Sequence, residues 1–270
     1  MSSRGRHHFV RAASTRYSPY RMRRSFQLTH PGKKRAHNED ALLCDDALGL
    51  YVVCDGVGGN AKGEIASHEA ADQVLGYVQQ GKEALTSFIE APSRTSSAPV
   101  RRLLESAVQS ACYMVFGLAE LEPAQRGMAT TLSALLLVGQ TAFLAQVGDS
   151  RIYLVRAQRA TQLTEDHTLI NAKIKRGLVT AAEAQHMKGK NIITRAVGHK
   201  DHVEVDLAEL MTKPGDRFLL CSDGLHGYLA DGEIERVLAE GSDDDAPARF
   251  VQLANDRGGK DNVSVVLVTT

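Results

Sequence analysis

The chain has 270 residues, of which 43% are apolar and 24% charged, and its 32 basic and 32 acidic residues leave a formal net charge of zero. This length predicts one large globular domain, because two full domains with linkers would not fit. The balanced charge argues against a nucleic-acid-binding protein, for which an excess of positive charge would be the first sign. We therefore expect partners to be recognised by local features of the surface.

Residues 1–24 differ in composition from the rest of the chain, since they include seven arginines, several serines and no acidic residue. They contain no apolar run long enough for the core of a signal peptide. We expect a basic, disordered extension over 1–24 and one folded domain over 25–270. The extension has three interpretations: a solvated tail or a start upstream of Met22, a contact arm for a membrane or nucleic acid, and an organellar transit peptide.

The four cysteines, Cys44, Cys54, Cys112 and Cys221, are scattered along the chain and form no CxxC pair. Their spacing indicates reduced thiols in a cytoplasmic protein, and it fits neither a disulfide framework nor a zinc site. The longest apolar stretch, 132–147, is interrupted by a Gly-Gln-Thr turn. It therefore predicts a β-hairpin and no membrane span.

Short apolar segments between turn signals predict strands at 48–54, 131–138, 142–147, 151–155, 217–221 and 263–268. Amphipathic patterns predict two long helices, joined by a loop, and two shorter ones; the ranges are 63–80, 91–99 for the loop, 100–121, 232–239 and 246–257. Asp231 is expected to cap the helix at 232–239. Because most strands follow one another through tight turns, we predict an α+β fold with a largely antiparallel sheet.

Four aspartates stand where apolar runs end or begin. Asp55, Asp149 and Asp223 each follow such a run and precede a small residue, whereas Asp261 stands just before a run. Because the end of one antiparallel strand lies beside the start of its neighbour, the four carboxylates are predicted to gather at one edge of the sheet. Each alone is an ordinary turn residue. Together they would repel unless a cation lay among them, and oxygen ligands favour Mg²⁺ or Mn²⁺.

The segment 35–40, Arg-Ala-His-Asn-Glu-Asp, adds a possible phosphate contact. If the segment is extended, Arg35, His37 and Glu39 point to the same side. A guanidinium near a metal-bound carboxylate could hold a phosphate through two nitrogens at once. The alternative is a surface ion pair on an edge strand.

Together, these motifs resemble the metal-dependent protein phosphatase family, the type 2C serine/threonine phosphatases, in a bacterial form. The matching segments occur in the family's order over about residues 25–270: RAHNED (35–40), DGVGG (55–59), ATTL (129–132), VGDSRIY (147–153), LTEDH (163–167), ITRAVG (193–198), SDGL (222–225) and KDNVS (260–264). The resemblance implies an α-β-β-α sandwich of two antiparallel sheets flanked by helices. It also implies that 25–270 is a catalytic domain with a binuclear metal centre at one end.

The resemblance also implies the metal ligands. By position, Asp55 would bridge two ions and the backbone carbonyl of Gly56 would bind one of them, with Glu39 assisting. Asp223 and Asp261 would complete the shell of the other ion. The ions would be Mn²⁺ or Mg²⁺, since both accept the same oxygen ligands.

Three further roles follow from the same resemblance. Asp149, together with Asp223, matches the site of a third, weaker ion in bacterial members. Arg35 matches the phosphate-binding arginine, and Asp40 is expected to orient a water at the metal.

The implied activity is hydrolysis of phosphoserine and phosphothreonine on proteins by metal-activated water, opposing a bacterial Ser/Thr kinase in the cytoplasm. Many eukaryotic members have a histidine directly after Asp-Gly, where this chain has Val57, which cannot donate a proton. His37 is one candidate for that role. The alternatives are a catalytically silent regulatory module of the same fold and a phosphatase of small metabolites. We expect phosphorylated proteins and a cognate kinase as partners, and a monomer.

The resemblance also identifies 169–191 as the variable flap of bacterial members, and we expect a helical hairpin there. Five of its residues are basic, and Glu183 is its single acidic residue; the basic residues are Lys173, Lys175, Arg176, Lys188 and Lys190. This charge could steer a phosphorylated segment towards the site. The alternative is a solvated hairpin without such a role.

Overall fold

The computed structural model describes residues 23–57, 62–187, 189 and 192–270. The predicted basic extension lies outside these ranges except for its last two residues, and Arg24 already begins the first strand. In chain order the elements are β1 (Arg24–His30), β2 (Asp40–Asp45), β3 (Leu50–Val57), α1 (Gly63–Gln80), α2 (Lys82–Glu90), α3 (Arg94–Leu121), β4 (Ala129–Thr130), β5 (Leu132–Val138), β6 (Thr141–Val147), β7 (Arg151–Arg156), β8 (Arg159–Gln162), α4 (Leu169–Lys175), α5 (Ala181–His186), β9 (Asp206–Met211), β10 (Arg217–Cys221), α6 (Asp223–His226), α7 (Glu233–Ala239), α8 (Ala246–Asp256) and β11 (Val263–Thr269).

The strands form two antiparallel sheets. One has the order β1-β11-β10-β7-β8, and the other has the order β2-β3-β5-β6-β9, with the short β4 paired to β3. Helices α1 and α3 pack on the second sheet, and α8 packs on the first. The predicted α+β class and α-β-β-α sandwich are thus confirmed, as is the hairpin predicted within 132–147.

The apolar run of β3 serves two separate cores. Tyr51 and Val53 face the other sheet and pack in one cluster with Phe218 and Leu220 of β10. The alternate residues of β3 face α1 and α3, as Val52 does. Because successive strand side chains point to opposite faces, one continuous apolar run fills both layers. Burying each large side chain fully contributes about 1.5–3 kcal/mol.

Two of the helix predictions need correction. The loop predicted at 91–99 is mostly helical, since α2 ends at Glu90 and α3 begins at Arg94. The Ser93 hydroxyl accepts a hydrogen bond from the backbone N–H of Ser96 at 3.1 Å, and this cap starts α3 five residues before Pro99. Asp231 does not cap α7: Gly232 occupies the N-cap position with φ 74°, and the Glu233 carboxylate accepts from the backbone N–H of Ala230.

Two other sequence predictions are confirmed by the structure. The four cysteines are free, with Cys54, Cys112 and Cys221 buried and Cys44 half-buried. The helical hairpin predicted at 169–191 is present as α4 and α5, although Lys188 and Lys190 lie outside the described residues. Among the helices that the structure describes, none combines the length and the apolarity needed to span a bilayer.

Candidate metal and phosphate site

The predicted carboxylates meet between the two sheets. Asp55 lies near the end of β3 in the second sheet, and Asp149 lies in the loop that crosses from β6 of the second sheet to β7 of the first. Asp223 begins α6 two residues after β10, and Asp261 lies two residues before β11; both strands belong to the first sheet. The prediction that all four would line one edge of one sheet is therefore wrong. Stacking of the sheets brings the strand ends together at one end of the sandwich.

Asp55 is the centre of the carboxylate cluster. Burial raises the pKa of its carboxyl group well above the ordinary range, and the charges of Asp40, Asp223, Asp149 and Asp261 raise it further. The carboxyl of Asp223 lies within hydrogen-bonding reach of Asp55, and its own pKa is also raised, first by burial and then by Asp261. Burial, followed by the charge of Asp223, raises the pKa of Asp149 to about 7. These carboxylates therefore disfavour one another's charge.

Two threonines fix the backbone of Asp55. The hydroxyl of Thr131 accepts a hydrogen bond from the Asp55 N–H at 3.0 Å, and the hydroxyl of Thr130 donates to the Asp55 carbonyl at 2.9 Å. Both threonines are fully buried. Sequence reasoning noted the segment ATTL but gave its threonines no role. Two adjacent hydroxyl residues directly before the apolar run of β5 were the local signal that could have indicated such a role.

Asp40 is buried beneath the cluster and pairs in register with Asp55 across β2 and β3. Its Oδ2 accepts a hydrogen bond from the hydroxyl of Ser222 at 2.9 Å, whereas its buried Oδ1 has no hydrogen-bond partner. Burial is the main reason that the pKa of Asp40 is raised. An unpartnered buried carboxyl oxygen next to Asp55 is suited to binding a water or a cation.

Glu39 and Gly56 are held together by close backbone contacts. The Gly56 N–H donates to the Glu39 carbonyl at 3.1 Å, and the Glu39 carboxylate accepts from the Gly63 N–H at the start of α1. A Cβ on Gly56 would lie 2.3 Å from the Gly63 carbonyl oxygen. Only glycine allows this approach, so the sequence places the helix start directly beside the Glu39 carboxylate.

The segment 35–39 is not a strand, contrary to the extended geometry considered above. It belongs to a loop of turns between β1 and β2, and only Asp40 begins β2. Even so, Arg35 and Glu39 come together, with Nη1 of Arg35 3.9 Å from Oε2 of Glu39. Nη2 of Arg35 donates to Oδ2 of Asp261 at 2.8 Å. Arg35 therefore stands at the exposed mouth of the carboxylate cluster.

Asn262 holds this loop in place. Its Oδ1 accepts from the backbone N–H of Glu39 at 2.8 Å, and its Nδ2 donates to the carbonyls of Pro31 and His37 at 3.1 and 2.9 Å. The side chain is almost fully buried. Sequence reasoning used the segment KDNVS but did not assign Asn262 a role, because its partners lie more than 220 residues away along the chain.

The donor set fits a hard divalent cation. It consists of carboxylate and carbonyl oxygens, it is largely buried, and its members raise one another's pKa. The unpartnered Oδ1 of Asp40 points to the same conclusion. Across the described ranges, however, no three His, Cys, Asp or Glu side chains stand in the arrangement of a complete metal cage. The fit therefore rests on donor chemistry and burial.

Comparison with known sequences decides the family. The sequence model of the family described as protein phosphatase 2C matches residues 32–257. The chain belongs to the protein phosphatase 2C family. Protein phosphatase PhpP of Streptococcus pneumoniae is 32% identical over 254 residues, which cover 90% of this chain and 95% of PhpP.

Comparison with solved structures supports the same assignment. The serine/threonine phosphatase PstP/Ppp of Mycobacterium tuberculosis has a TM-score of 0.81 at 31% identity and covers 92% of this chain and 98% of its own. The catalytic domain of the serine/threonine protein phosphatase PstP in complex with two manganese ions has a TM-score of 0.77 at 32% identity. The match covers 92% of this chain and 97% of that domain. The predicted class, a metal-dependent serine/threonine protein phosphatase, is confirmed.

Two residues bear on the proton donor of this protein phosphatase 2C member. Val57, which follows Asp55-Gly56, is the last residue of β3 and is 37% exposed. His37 is exposed in the loop before β2, and its carbonyl is bound by Asn262. The structure places neither a hydrogen bond nor an ion pair on the His37 ring among the described residues.

Pairs of hydrogen bonds fix the junction between β8 and the flap. Nε and Nη2 of Arg151 donate to the two carboxylate oxygens of Asp166 at 2.8 and 2.6 Å. His167 is buried and contacts Gly148 and Asp206. Through these contacts Asp166 and His167 hold the segment between β8 and α4 against β7 and the loop after β6.

A cavity of about 820 Å³ lies at the opposite end of the strands from the carboxylates. It is bordered by α2, by the turn between β5 and β6, and by the end of β9; its apolar lining includes Phe88, Ile89, Leu137 and Met211. None of the predicted site residues lines it. Its lining is mostly apolar, in contrast to the carboxylate cluster at the other end.

Proposed function

We propose that this phosphatase hydrolyses phosphoserine and phosphothreonine on proteins with water activated by two divalent ions, Mn²⁺ or Mg²⁺. The observation that carries the proposal is the buried cluster around Asp55, in which burial and four neighbouring carboxylates all disfavour negative charge. Such a cluster is stabilised by bound cations. The match of the family model to 32–257 supports 25–270 as the catalytic domain.

The proposed ligands are the oxygen donors at this end of the sandwich, in the roles that the family resemblance implies. Asp55 would bridge the two ions, the Gly56 carbonyl and Glu39 would serve one of them, and Asp223 and Asp261 would serve the other. Their support is the mutual effect on pKa and the contact between Glu39 and Gly56. A third, weaker ion is proposed between Asp149 and Asp223, since the charge of Asp223 raises the pKa of Asp149.

Ions held there would lower the pKa of water and offset the charge of the phosphoryl oxygens. Arg35 would bind the phosphate at the mouth, because its guanidinium offers planar, paired donors. Asp40 would orient a water through Oδ1, which has no other partner. Asn262 would keep Arg35 and Glu39 in place by holding the backbone of their loop.

The proposed partners are phosphorylated proteins and a Ser/Thr kinase whose action this phosphatase opposes. Arg176, which is exposed just after α4, supports steering of a phosphorylated segment, whereas Lys175 is already paired with Glu165 at 2.6 Å. We propose a monomer, because every proposed ligand comes from one chain. Four free cysteines support a cytoplasmic location.

The deciding experiment measures release of phosphate from a phosphothreonine peptide by the purified protein, first with EDTA and then with added Mn²⁺ or Mg²⁺. Release that requires a divalent ion is the expected result. No release with any divalent ion would indicate a catalytically silent module. Faster release from sugar or nucleotide phosphates than from peptides would instead move the substrate class to small metabolites.

A further inference from the structure

The loop 148–150 that carries Asp149 is held largely by side chains. Nε2 of Gln146 donates to the carbonyls of both Gly148 and Ser150, at 3.1 and 2.7 Å. The hydroxyl of Ser150 is hydrogen-bonded to that of Thr131 at 2.8 Å. Gly148 has φ +96°, and a Cβ there would lie 2.6 Å from the Thr131 side chain. These contacts hold the backbone of the loop at Gly148 and at Ser150, on the two sides of Asp149.

His167 binds the loop on the N-terminal side of Asp149. Nδ1 of the His167 ring accepts a hydrogen bond from the backbone N–H of Gly148 at 3.1 Å. The backbone N–H of His167 donates to the Gly148 carbonyl at 2.9 Å. Because Nδ1 accepts, the proton of the neutral ring is on Nε2, which donates to Oδ2 of Asp206 at 3.0 Å. The other oxygen of Asp206 accepts from Arg195 at 2.6 Å. Both ring nitrogens of His167 are therefore engaged.

His226 binds the loop on the C-terminal side of the same residue. Its Nε2 lies 2.8 Å from the carbonyl oxygen of Asp149, so Nε2 carries the proton and donates it. His226 is the last residue of α6, and Asp223 is the first. A single hydrogen bond thus ties the helix that presents the Asp223 carboxylate to the loop that presents the Asp149 carboxylate.

We infer that His167 and His226 are positioning residues that hold the backbone before and after the Asp149 side chain, at the Gly148 N–H and at the Asp149 carbonyl, and so keep its carboxylate beside Asp223. Asp149 is buried beside another carboxylate, and burial and repulsion would both favour its turning away. Hydrogen bonds to the Gly148 N–H and the Asp149 carbonyl fix the backbone, and with it the direction of the Asp149 Cα–Cβ bond, so the carboxylate cannot move away with the loop. The inference rests on the proposed role of Asp149 and deepens it by naming what orients this ligand.

The same contacts link the loop to the flap. His167 lies two residues before α4, and Arg195, which shares Asp206 with it, follows the flap on the other side. The two ends of the flap are therefore joined through Asp206 to the backbone of Gly148. A substitution that removes the hydrogen bond between the His167 ring and the Gly148 N–H should loosen the Asp149 loop. It should leave the contact of Asp206 with Arg195 intact.

Paired amide substitutions separate positioning from packing. In His167→Asn the side-chain oxygen can take the place of Nδ1 and accept from Gly148, whereas His167→Gln can reproduce only the Nε2 contact with Asp206. The order is reversed at His226, where Gln can reproduce the Nε2 donor and Asn cannot reach the Asp149 carbonyl. The exposed His202 provides matched Asn and Gln controls, since its side chain is 80% exposed.

The first measurement is amide hydrogen exchange of a peptide covering 147–151 in the metal-free protein. We expect exchange to be about tenfold faster in His167→Gln and His226→Asn, and close to wild type in His167→Asn and His226→Gln. Equal exchange in the two variants of each pair would overturn the inference. Thermal unfolding identifies any variant that fails to fold, and the other pair then decides.

The second measurement is the Mn²⁺ concentration needed for half-maximal phosphate release. It should rise about tenfold in His167→Gln and His226→Asn with little change in the KM for the peptide. Unchanged Mn²⁺ dependence in both variants would overturn the link to Asp149. If the wild type releases no phosphate, the proposed function fails, but the exchange pattern still tests the positioning.

Discussion

Nη2 of Arg35 lies 2.8 Å from Oδ2 of Asp261, and this ion pair joins the loop between β1 and β2 to the loop between α8 and β11. The backbone N–H of Lys33 in the first of these loops donates to the Gly259 carbonyl in the second at 2.7 Å. The hydrogen bond to Asp261 is the main reason that the pKa of Arg35 is raised. The guanidinium is thus held at the mouth of the cluster, where we propose that a phosphate binds, with much of its surface still exposed.

Arg35→Ala should raise the KM for a phosphothreonine peptide about 10- to 100-fold with a smaller loss in kcat, because a hydrogen bond to a charged group contributes about 1.5–3 kcal/mol. The KM of Arg35→Lys should lie between those of the wild type and Arg35→Ala, since lysine keeps the charge but lacks the planar, paired donors of arginine. Steady-state kinetics at saturating Mn²⁺ is the measurement. Arg101→Ala, which breaks an ion pair with Glu209 of β9, is the control. An unchanged KM would remove Arg35 from phosphate binding.

Asp223→Asn should reduce Mn²⁺-dependent turnover by at least about 100-fold, since even groups that only support metal ligands contribute 10- to 100-fold. The metal-free protein should unfold at an unchanged or higher temperature, because one of the mutually repelling carboxylates is removed. Turnover and thermal unfolding are measured on the same preparation. Asp231→Asn, an exposed aspartate before α7, should leave both unchanged. A variant that kept most of its activity would contradict the assignment of Asp223.

Gly224→Ala should destabilise the fold by about 1–3 kcal/mol, because the new Cβ would lie 1.8 Å from the carbonyl oxygen of Asn262 and the backbone would have to move. Gly76→Ala is the matched control in the interior of α1, where a Cβ has open space. It should stabilise the protein by about 0.5–1 kcal/mol. Thermal unfolding compares the two, and shifts in the same direction would refute the prediction.

Glu233 should make stability depend on pH. Its carboxylate accepts from Nη2 of Arg257 at 2.7 Å, and this pairing is the main reason that its pKa falls from 4.5 to about 2. Because the folded-state pKa is the lower one, the stabilisation is present above pH 4.5 and is lost as the pH falls towards 2. Glu233→Gln should therefore lower Tm at pH 7 and by less at pH 3. A Tm difference independent of pH would contradict this, and Glu240→Gln is the exposed control.

The strands that sequence reasoning found and missed differ in position. Every predicted strand is an interior strand, whereas β1, β8, β2 and β9 are the four outer strands of the two sheets. Interior strands are buried on both faces and give continuous apolar runs. Outer strands are only partly buried, as β9 shows in its mixture of half-buried and exposed residues, so their sequences give no such run.

The candidate site divides in the same way. The aspartates could be found because each lies within two residues of an apolar run, which is a local feature of the sequence. The Ser222 hydroxyl on Asp40 and the Asn262 side chain on the His37 carbonyl could not, because 182 and 225 residues separate the partners. No local pattern encodes such contacts.

The sequence by itself determined which segments become buried strands, where each carboxylate stands relative to its strand, and which family the motifs resemble. Only the tertiary structure decided that Asp55 comes from one sheet, Asp223 and Asp261 from beside strands of the other, and Asp149 from the loop that crosses between them. The reason is physical: a strand such as β3 shows the same alternation of side-chain directions whether a given face is covered by helices or by the other sheet. Which layer lies there depends on how the two sheets stack, and that stacking turns separate aspartates into one site.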